Sequence, residues 1–250
     1  MIDGGSGLRR YGEALLVGPC GMGKGEVHIF MTHFHWDHVI GLPFFAPILI
    51  PGNKIHFYAV QDDLEDRVRT MFYKPHFPIS FEQLAAQVIF NQLEPRKHFV
   101  IGDMSITPYQ LDHPDPCWGY RIESGGKVIS HCVDTEGVRV SRKDLGKDLP
   151  LYQNVDLLIY DAQYMFSEST ERVDWGHASG PIGIDIAMRE KVKKLWFIHH
   201  DTSASDEKIA TAENQTRLYY ESCMRMAREQ NIDVHEVDWC FAYEGMVFEI

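Results

Sequence analysis

The chain has 250 residues, 44% of them apolar and 12% aromatic, enough to bury a sizeable core. Its 36 acidic and 24 basic residues leave a net charge of −12. That balance excludes a generic nucleic-acid or anionic-membrane binder, though not a small phosphate ester held by bound cations.

In chain order, "MIDGGSGLRRYG" reads as the end of a strand entering a glycine turn, which implies further strands upstream of residue 1. Apolar runs bounded by turn residues predict strands over 27–32, 54–60, 87–91, 104–111, 118–122, 128–133, 155–160, 194–198, 233–237 and 245–250. Helices are expected over 37–42, 62–71, 181–189 and 205–230. The last carries Ile209, Ala212, Leu218, Cys223, Met226 and Ala227 at near-helical spacing, with "DTSASDE" as its N-terminal cap. No repeat, low-complexity tract or long linker interrupts the alternation, so a single α/β layered domain over 1–250 is expected. No apolar run reaches the ~18 residues of a membrane span, and no signal peptide is visible. Five cysteines without a C-x-x-C pair point to neither a disulfide framework nor a structural zinc site, and a reducing cytoplasm fits.

The stretch "MTHFHWDH" places His33, His35, Asp37 and His38 within six positions, directly after the apolar run "VHIFM". Burying imidazoles and a carboxylate without partners is costly, and a divalent metal is the partner that suits both. On an extended chain His33 and His35 point the same way. A helix starting at Asp37 turns Asp37 and His38 toward the same centre from another side. More such groups stand at the ends of later apolar strands. They are His113 in "LDHPDP", Asp134 in "VDTE", Asp161 in "YDAQY", His177 in "WGHAS", and His199 and His200 in "FIHHD". A lone histidine at a strand end is more often structural. Their shared position at strand ends is what makes them a candidate constellation.

This set of motifs resembles the metallo-β-lactamase fold hydrolases. The similarity is greatest to the branch that contains ribonuclease Z and small cyclic-phosphate phosphodiesterases, and it runs from residue 1 to about 204. The resemblance implies a four-layer αββα sandwich, here lacking its first N-terminal strands, with two divalent metals at one edge. It implies that His33, His35 and His113 bind the first metal, and that Asp37, His38 and His199 bind the second, with His200 as the fallback. Asp134 would bridge both, although Val133 replaces the glycine of the family's G-D-T motif. Asp161 would support the site from behind, and Asp3 would orient a ligand histidine.

The mixed nitrogen and oxygen set favours zinc, with manganese and iron compatible. Two such ions generate hydroxide from water near neutral pH and suit an anionic diester. His177 is then the candidate general acid, because imidazole is the side chain that titrates nearest neutrality. The expected activity is hydrolysis of a small or cyclic phosphodiester, a cyclic nucleotide among them, with His177, Asp37 and Asp161 as catalytic residues. A lactone or thioester hydrolase of the same fold is the competing enzyme reading, and a metal-bound ligand sensor the non-catalytic one. His177 favours the diesterase, and Asp134 stands where β-lactamases typically carry cysteine. An incomplete sheet would expose an edge and favour a homodimer. The loop "YKPHFPIS" carries Tyr73, Lys74, His76 and Phe77 and either covers the site or packs as a plain connection. Trp118 and Trp175 are read as core or as site walls.

Overall fold

Short apolar runs separated by glycine- and proline-bearing turns build the first part of the chain. In the computed structural model, which describes residues 1–247 and 249, Met1–Pro95 and Arg96–Ile250 are two compact units.

In the first unit, Ile2 bridges to Phe30 and the chain then enters α1 (Gly7–Leu15). The sequence suggested only a turn here. Leu8 and Gly12 are the only buried residues of α1, so its apolar period is too thin to read. Strands β1 (Glu26–Phe30), β2 (Lys54–Ala59) and β3 (Gln87–Gln92) form a parallel sheet in chain order. The register places Val27 opposite Ile55 and Ile55 opposite Val88. Parallel neighbours cannot be joined by a tight hairpin, so the connections are crossovers through α2 (Trp36–Val39) and α3 (Leu64–Thr70). Ile29, Ile55, Phe57, Val39, Leu42 and Val68 meet in this unit's core.

The second unit holds a seven-stranded sheet of order β10-β9-β8-β7-β6-β5-β4. Strands β4 (Phe99–Ile101), β5 (Met104–Gln110), β6 (Trp118–Ser124) and β7 (Lys127–Cys132) run antiparallel to one another. From β7 onward, β8 (Leu157–Asp161), β9 (Lys194–Ile198) and β10 (Asp238–Phe241) are parallel. Their apolar runs are nearly continuous, as strands covered on both faces require. Cys132 lies opposite Tyr160, and Asp161 opposite Ile198, so β7, β8 and β9 end at one edge of the sheet. Pro108 in β5 lies past the residues that β4 pairs with, where its missing N–H costs no ladder bond.

The helices of this unit are α4 (Arg142–Leu145), α5 (Phe166–Glu171), α6 (Gly180–Glu190) and α7 (Asp206–Glu229). Helix α7 begins where expected, with Ser205 Oγ accepting from the Lys208 N–H. Leu158, Tyr160, Ile184, Ala187, Leu195 and Phe197 form the core.

The strand expected at 233–237 lies instead at Asp238–Phe241. Side-chain hydrogen bonds hold the earlier segment instead. The Val237 N–H donates to Tyr220 Oη, and His235 Nε2 sits 2.8 Å from the Val192 carbonyl. Of the strand expected at 245–250, Phe248 and Ile250 lie outside the described residues, and the others form no strand. Among the described residues, no helix is long and apolar enough to cross a membrane.

Candidate metal centre

In the first unit β1 ends at Phe30, so His33 and His35 stand in the segment beyond the strand rather than on it. His35 is the extended residue that precedes α2. The two rings still meet, with centroids 4.4 Å apart, and the His38 ring lies 4.3 Å from that of His33. Asp37 is exposed, with Oδ2 3.2 Å from His38 Nε2.

Asp3 organises this group. Its carboxylate accepts from the Thr32 N–H at 2.7 Å, from Thr32 Oγ1 at 2.8 Å and from His38 Nδ1 at 2.8 Å. Thr32 Oγ1 in turn lies 3.0 Å from His33 Nδ1. These oxygen partners assign the protons of His33 and His38 to Nδ1 and make Nε2 the ligating nitrogen. The backbone is drawn tight to achieve this. Asp3 has φ +57, and the Gly4 N–H donates to the His38 carbonyl. A Cβ at Gly5 would stand 2.3 Å from the Asp37 carbonyl oxygen, and one at Gly41 would stand 2.1 Å from that of Gly5. Both positions therefore require glycine.

In the second unit four groups converge. Asp134 follows β7, Asp161 ends β8, His177 precedes α6, and His199 follows β9. One ligand atom from each lies within 4.8 Å of the others. Asp134 (φ +63) and His199 (φ +64) both adopt left-handed backbone, uncommon for residues with a Cβ and characteristic of functional sites.

Asp161 is fully buried. Oδ1 accepts from the Gln163 and Ala178 N–H groups at 3.0 and 2.9 Å. Oδ2 takes His177 Nδ1 at 3.1 Å and the Asp134 N–H at 3.2 Å, and His199 Nδ1 lies 3.4 Å away. Burial pushes this carboxyl up, but the bonds from His177 and His199 outweigh it and hold it below the ordinary carboxylate value. The rings of His177 and His199 stack at 5.2 Å, and His199 Nε2 is 3.5 Å from Asp134 Oδ1. His200 points elsewhere. It stacks on Phe241 at 5.1 Å, and burial pushes its pKa down.

His113 lies beyond β5, with its ring 6.1 Å from that of His177. Gly176 (φ +84) makes room for it, since a Cβ there would come within 2.3 Å of the His113 ring. The residue that sequence reasoning missed is Glu136. It is buried, and Oε2 accepts from the Gly176 N–H at 3.0 Å while its own N–H donates to the Asp112 carbonyl. It thus ties the loops of His113 and His177 to that of Asp134. An acidic residue two positions after Asp134 was the available signal. Trp118 is core, whereas Trp175 is exposed beside Arg172.

Imidazoles whose Nδ1 is held by oxygen partners, set beside carboxylates, form a donor set whose chemistry suits divalent cations.

The profile of the β-lactamase superfamily domain matches residues 2–200. The chain therefore belongs to the β-lactamase superfamily, and its mixed α/β architecture is the metallo-β-lactamase hydrolase fold. Ribonuclease Z of Staphylococcus carnosus is 23% identical over 233 residues, covering 89% of this chain and 65% of that enzyme. The chain thus spans just under two thirds of that relative. Ribonuclease Z of Thermococcus kodakarensis is 27% identical, covering 80% of this chain and 74% of that enzyme. Among solved structures, the metallo-β-lactamase fold protein YhfI of Bacillus subtilis gives a TM-score of 0.64 at 17% identity, covering 96% of this chain and 83% of that one. Unliganded yeast PDE1 gives 0.65 at 16% identity, covering 88% and 67%.

Proposed function

We propose that the two units act as one catalytic domain, a metal-dependent phosphodiesterase for a small or cyclic phosphodiester. The observation that carries the reading is the pairing of His177 with the buried Asp161 beside Asp134 and His199. A carbonyl hydrolase has no need of such an oriented imidazole, whereas a departing alkoxide does. The relatives support phosphodiester chemistry by their names, ribonuclease Z and PDE1.

In this reading His33, His35 and His113 would hold one divalent ion and Asp37, His38 and His199 the other, with Asp134 serving both. Zinc suits the donors best. Bound ions would acidify water and offset the charge of a phosphodiester. The chain's own residues do the rest. Asp3 fixes His33 and His38 in register. Asp161 accepts the His177 Nδ1–H and directs Nε2 outward; in the doubly protonated ring Nε2 gives its proton to the leaving oxygen, and the ring is left neutral with its remaining proton on Nδ1. Glu136 holds the loop that presents His177. Free cysteines at all five positions agree with a reducing compartment.

RNA is the second reading, favoured by the relatives named ribonuclease Z. The net charge of −12 weighs against a long polyanion. Hydrolysis of bis(p-nitrophenyl) phosphate and of a cyclic nucleotide by the metal-loaded protein, with His177→Ala in parallel, tests the proposal. The expected result is turnover that falls at least about 100-fold in the variant. Equal rates in both proteins would remove His177 from the mechanism. No turnover of either ester, with RNA cleaved instead, would favour the second reading.

A further inference from the structure

Helix α2 carries more than Asp37 and His38. Trp36 stands between His35 and Asp37 in sequence, and the residue is 70% exposed. A tryptophan left in water is unusual, because burying its large apolar surface is strongly favourable. It is not alone. Ile40, Phe44 and Tyr73 are also exposed, and together with His76 and Phe77 they line a cavity of about 490 Å³ in the first unit.

The rings in this cavity are already ordered against one another. Phe44 meets Phe77 edge to face at 6.0 Å, Phe72 meets Phe77 the same way at 5.8 Å, and Tyr73 meets His76 at 5.4 Å. Buried Phe72 anchors the set to the core. The loop that supplies Tyr73, His76 and Phe77 is the "YKPHFPIS" segment, to which the hydrolytic chemistry assigns no task.

We propose that Trp36, Phe44, Tyr73 and Phe77 form a stacking cradle for a planar heteroaromatic group of the substrate, of the size and chemistry of a nucleobase. Three observations select this occupant. The cavity has the volume of a small-molecule site. Its walls are predominantly aromatic, and ring faces bind other ring faces with little regard to sequence or charge. The hydroxyl of Tyr73 and the imidazole of His76 give its edge the hydrogen-bonding groups that a heterocycle needs and an acyl chain does not. The cradle also shares a four-residue helix with Asp37 and His38, so a bound base is tethered by α2 itself to the candidate ligands. The assignment rests on the phosphodiesterase reading only for the rest of the ligand. The stacking group stands on the cavity alone.

The test is saturation-transfer NMR on the full chain with adenosine, using methyl riboside as the base-free control. Trp36→Ala and Trp36→Phe are compared with the parent, and their melting temperatures are checked first. Because Trp36 is largely exposed, both variants should melt near the parent. Adenosine ring protons should receive saturation while methyl riboside does not. Trp36→Ala should weaken adenosine binding about tenfold, and Trp36→Phe should keep it within about threefold. Equal affinity in all three proteins, saturation of the ribose alone, or no adenosine binding would overturn the cradle. Turnover of bis(p-nitrophenyl) phosphate, measured on the same samples, separates the two readings. Turnover without adenosine binding sinks the cradle alone, whereas adenosine binding without turnover sinks the diesterase alone.

Discussion

Replacing Asp161 by asparagine changes one oxygen to an amino group and almost nothing in volume. In the parent Oδ1 accepts two hydrogen bonds and Oδ2 two more, with His199 Nδ1 also 3.4 Å from Oδ2, in a fully buried setting. An amide accepts at one oxygen only. If its nitrogen faced Gln163 and Ala178, two buried backbone N–H groups would be orphaned at once. The cheaper orientation puts the nitrogen at the Oδ2 position, where His177 can shift its proton to Nε2 and accept on Nδ1. The amide's second hydrogen can face His199 Nδ1 in the same way, and the Asp134 N–H is the backbone donor left stranded, at about 1–3 kcal/mol. The exchange of a charge-assisted bond for a neutral one adds roughly 1 kcal/mol. The expected loss is about 2–4 kcal/mol. It is measured by urea unfolding in chelator, so that metal binding does not mask it. Tryptophan fluorescence reports mainly on the second unit, which holds four of the five tryptophans. Nitrogen-15 spectra of the histidines should show His177 changing from the Nδ1–H to the Nε2–H tautomer. A loss below about 1 kcal/mol with an unchanged tautomer would refute the claim that Asp161 sets the imidazole.

Three further outcomes are expected. Glu136→Ala should lower kcat on a diester about tenfold by releasing the Gly176 N–H and the loop that carries His177, while Glu136→Gln, which retains one acceptor oxygen, should recover most of it. His199→Gln should reduce bound metal per chain, measured by elemental analysis after dialysis, and His200→Gln should leave it unchanged. Asp156 concerns pH. Its hydrogen bond from Lys193 Nζ at 2.7 Å lowers its folded pKa, and the Val128 N–H at 2.9 Å adds to this. A lowered folded pKa contributes stability that is present above the unfolded value of about 3.9 and lost as pH falls through the folded value. The roughly 1 kcal/mol by which Asp156→Asn destabilises the protein at pH 7 should therefore shrink as denaturation is followed into the acid range below about pH 4.

The candidate site was legible in the sequence where chemistry is dense. Four ligand-type residues in six positions at 33–38 have no ordinary structural purpose, and Asp161 and His199 stood out because each closes an apolar strand. The parallel strands β8 and β9 were legible for the same reason: their apolar runs over 157–160 and 195–198 are uninterrupted. Features that depend on close approach were not. Helix α1 hides because backbone contacts through Gly4, Gly5 and Gly41 hold its approach, and such contacts leave no periodic trace. Strand β10 was set too early because side-chain hydrogen bonds, invisible in a propensity pattern, claim the preceding segment. Glu136 acts through a backbone N–H forty positions away, and the cradle joins residues of α2 to a loop beyond α3. Neither separation is predictable from spacing.

The left-handed backbone at Asp134 and His199 sets a trap for anyone evolving this protein toward heat resistance. A glycine at either position would relieve a conformation that a side chain makes costly. A library screened only for solubility or melting temperature would thus be drawn to the very substitutions that erase the carboxylate and the imidazole proposed to bind metal. Under that proposal, selection for robustness and selection for turnover point in opposite directions at these two residues, and a screen that scores both is needed to keep the chemistry.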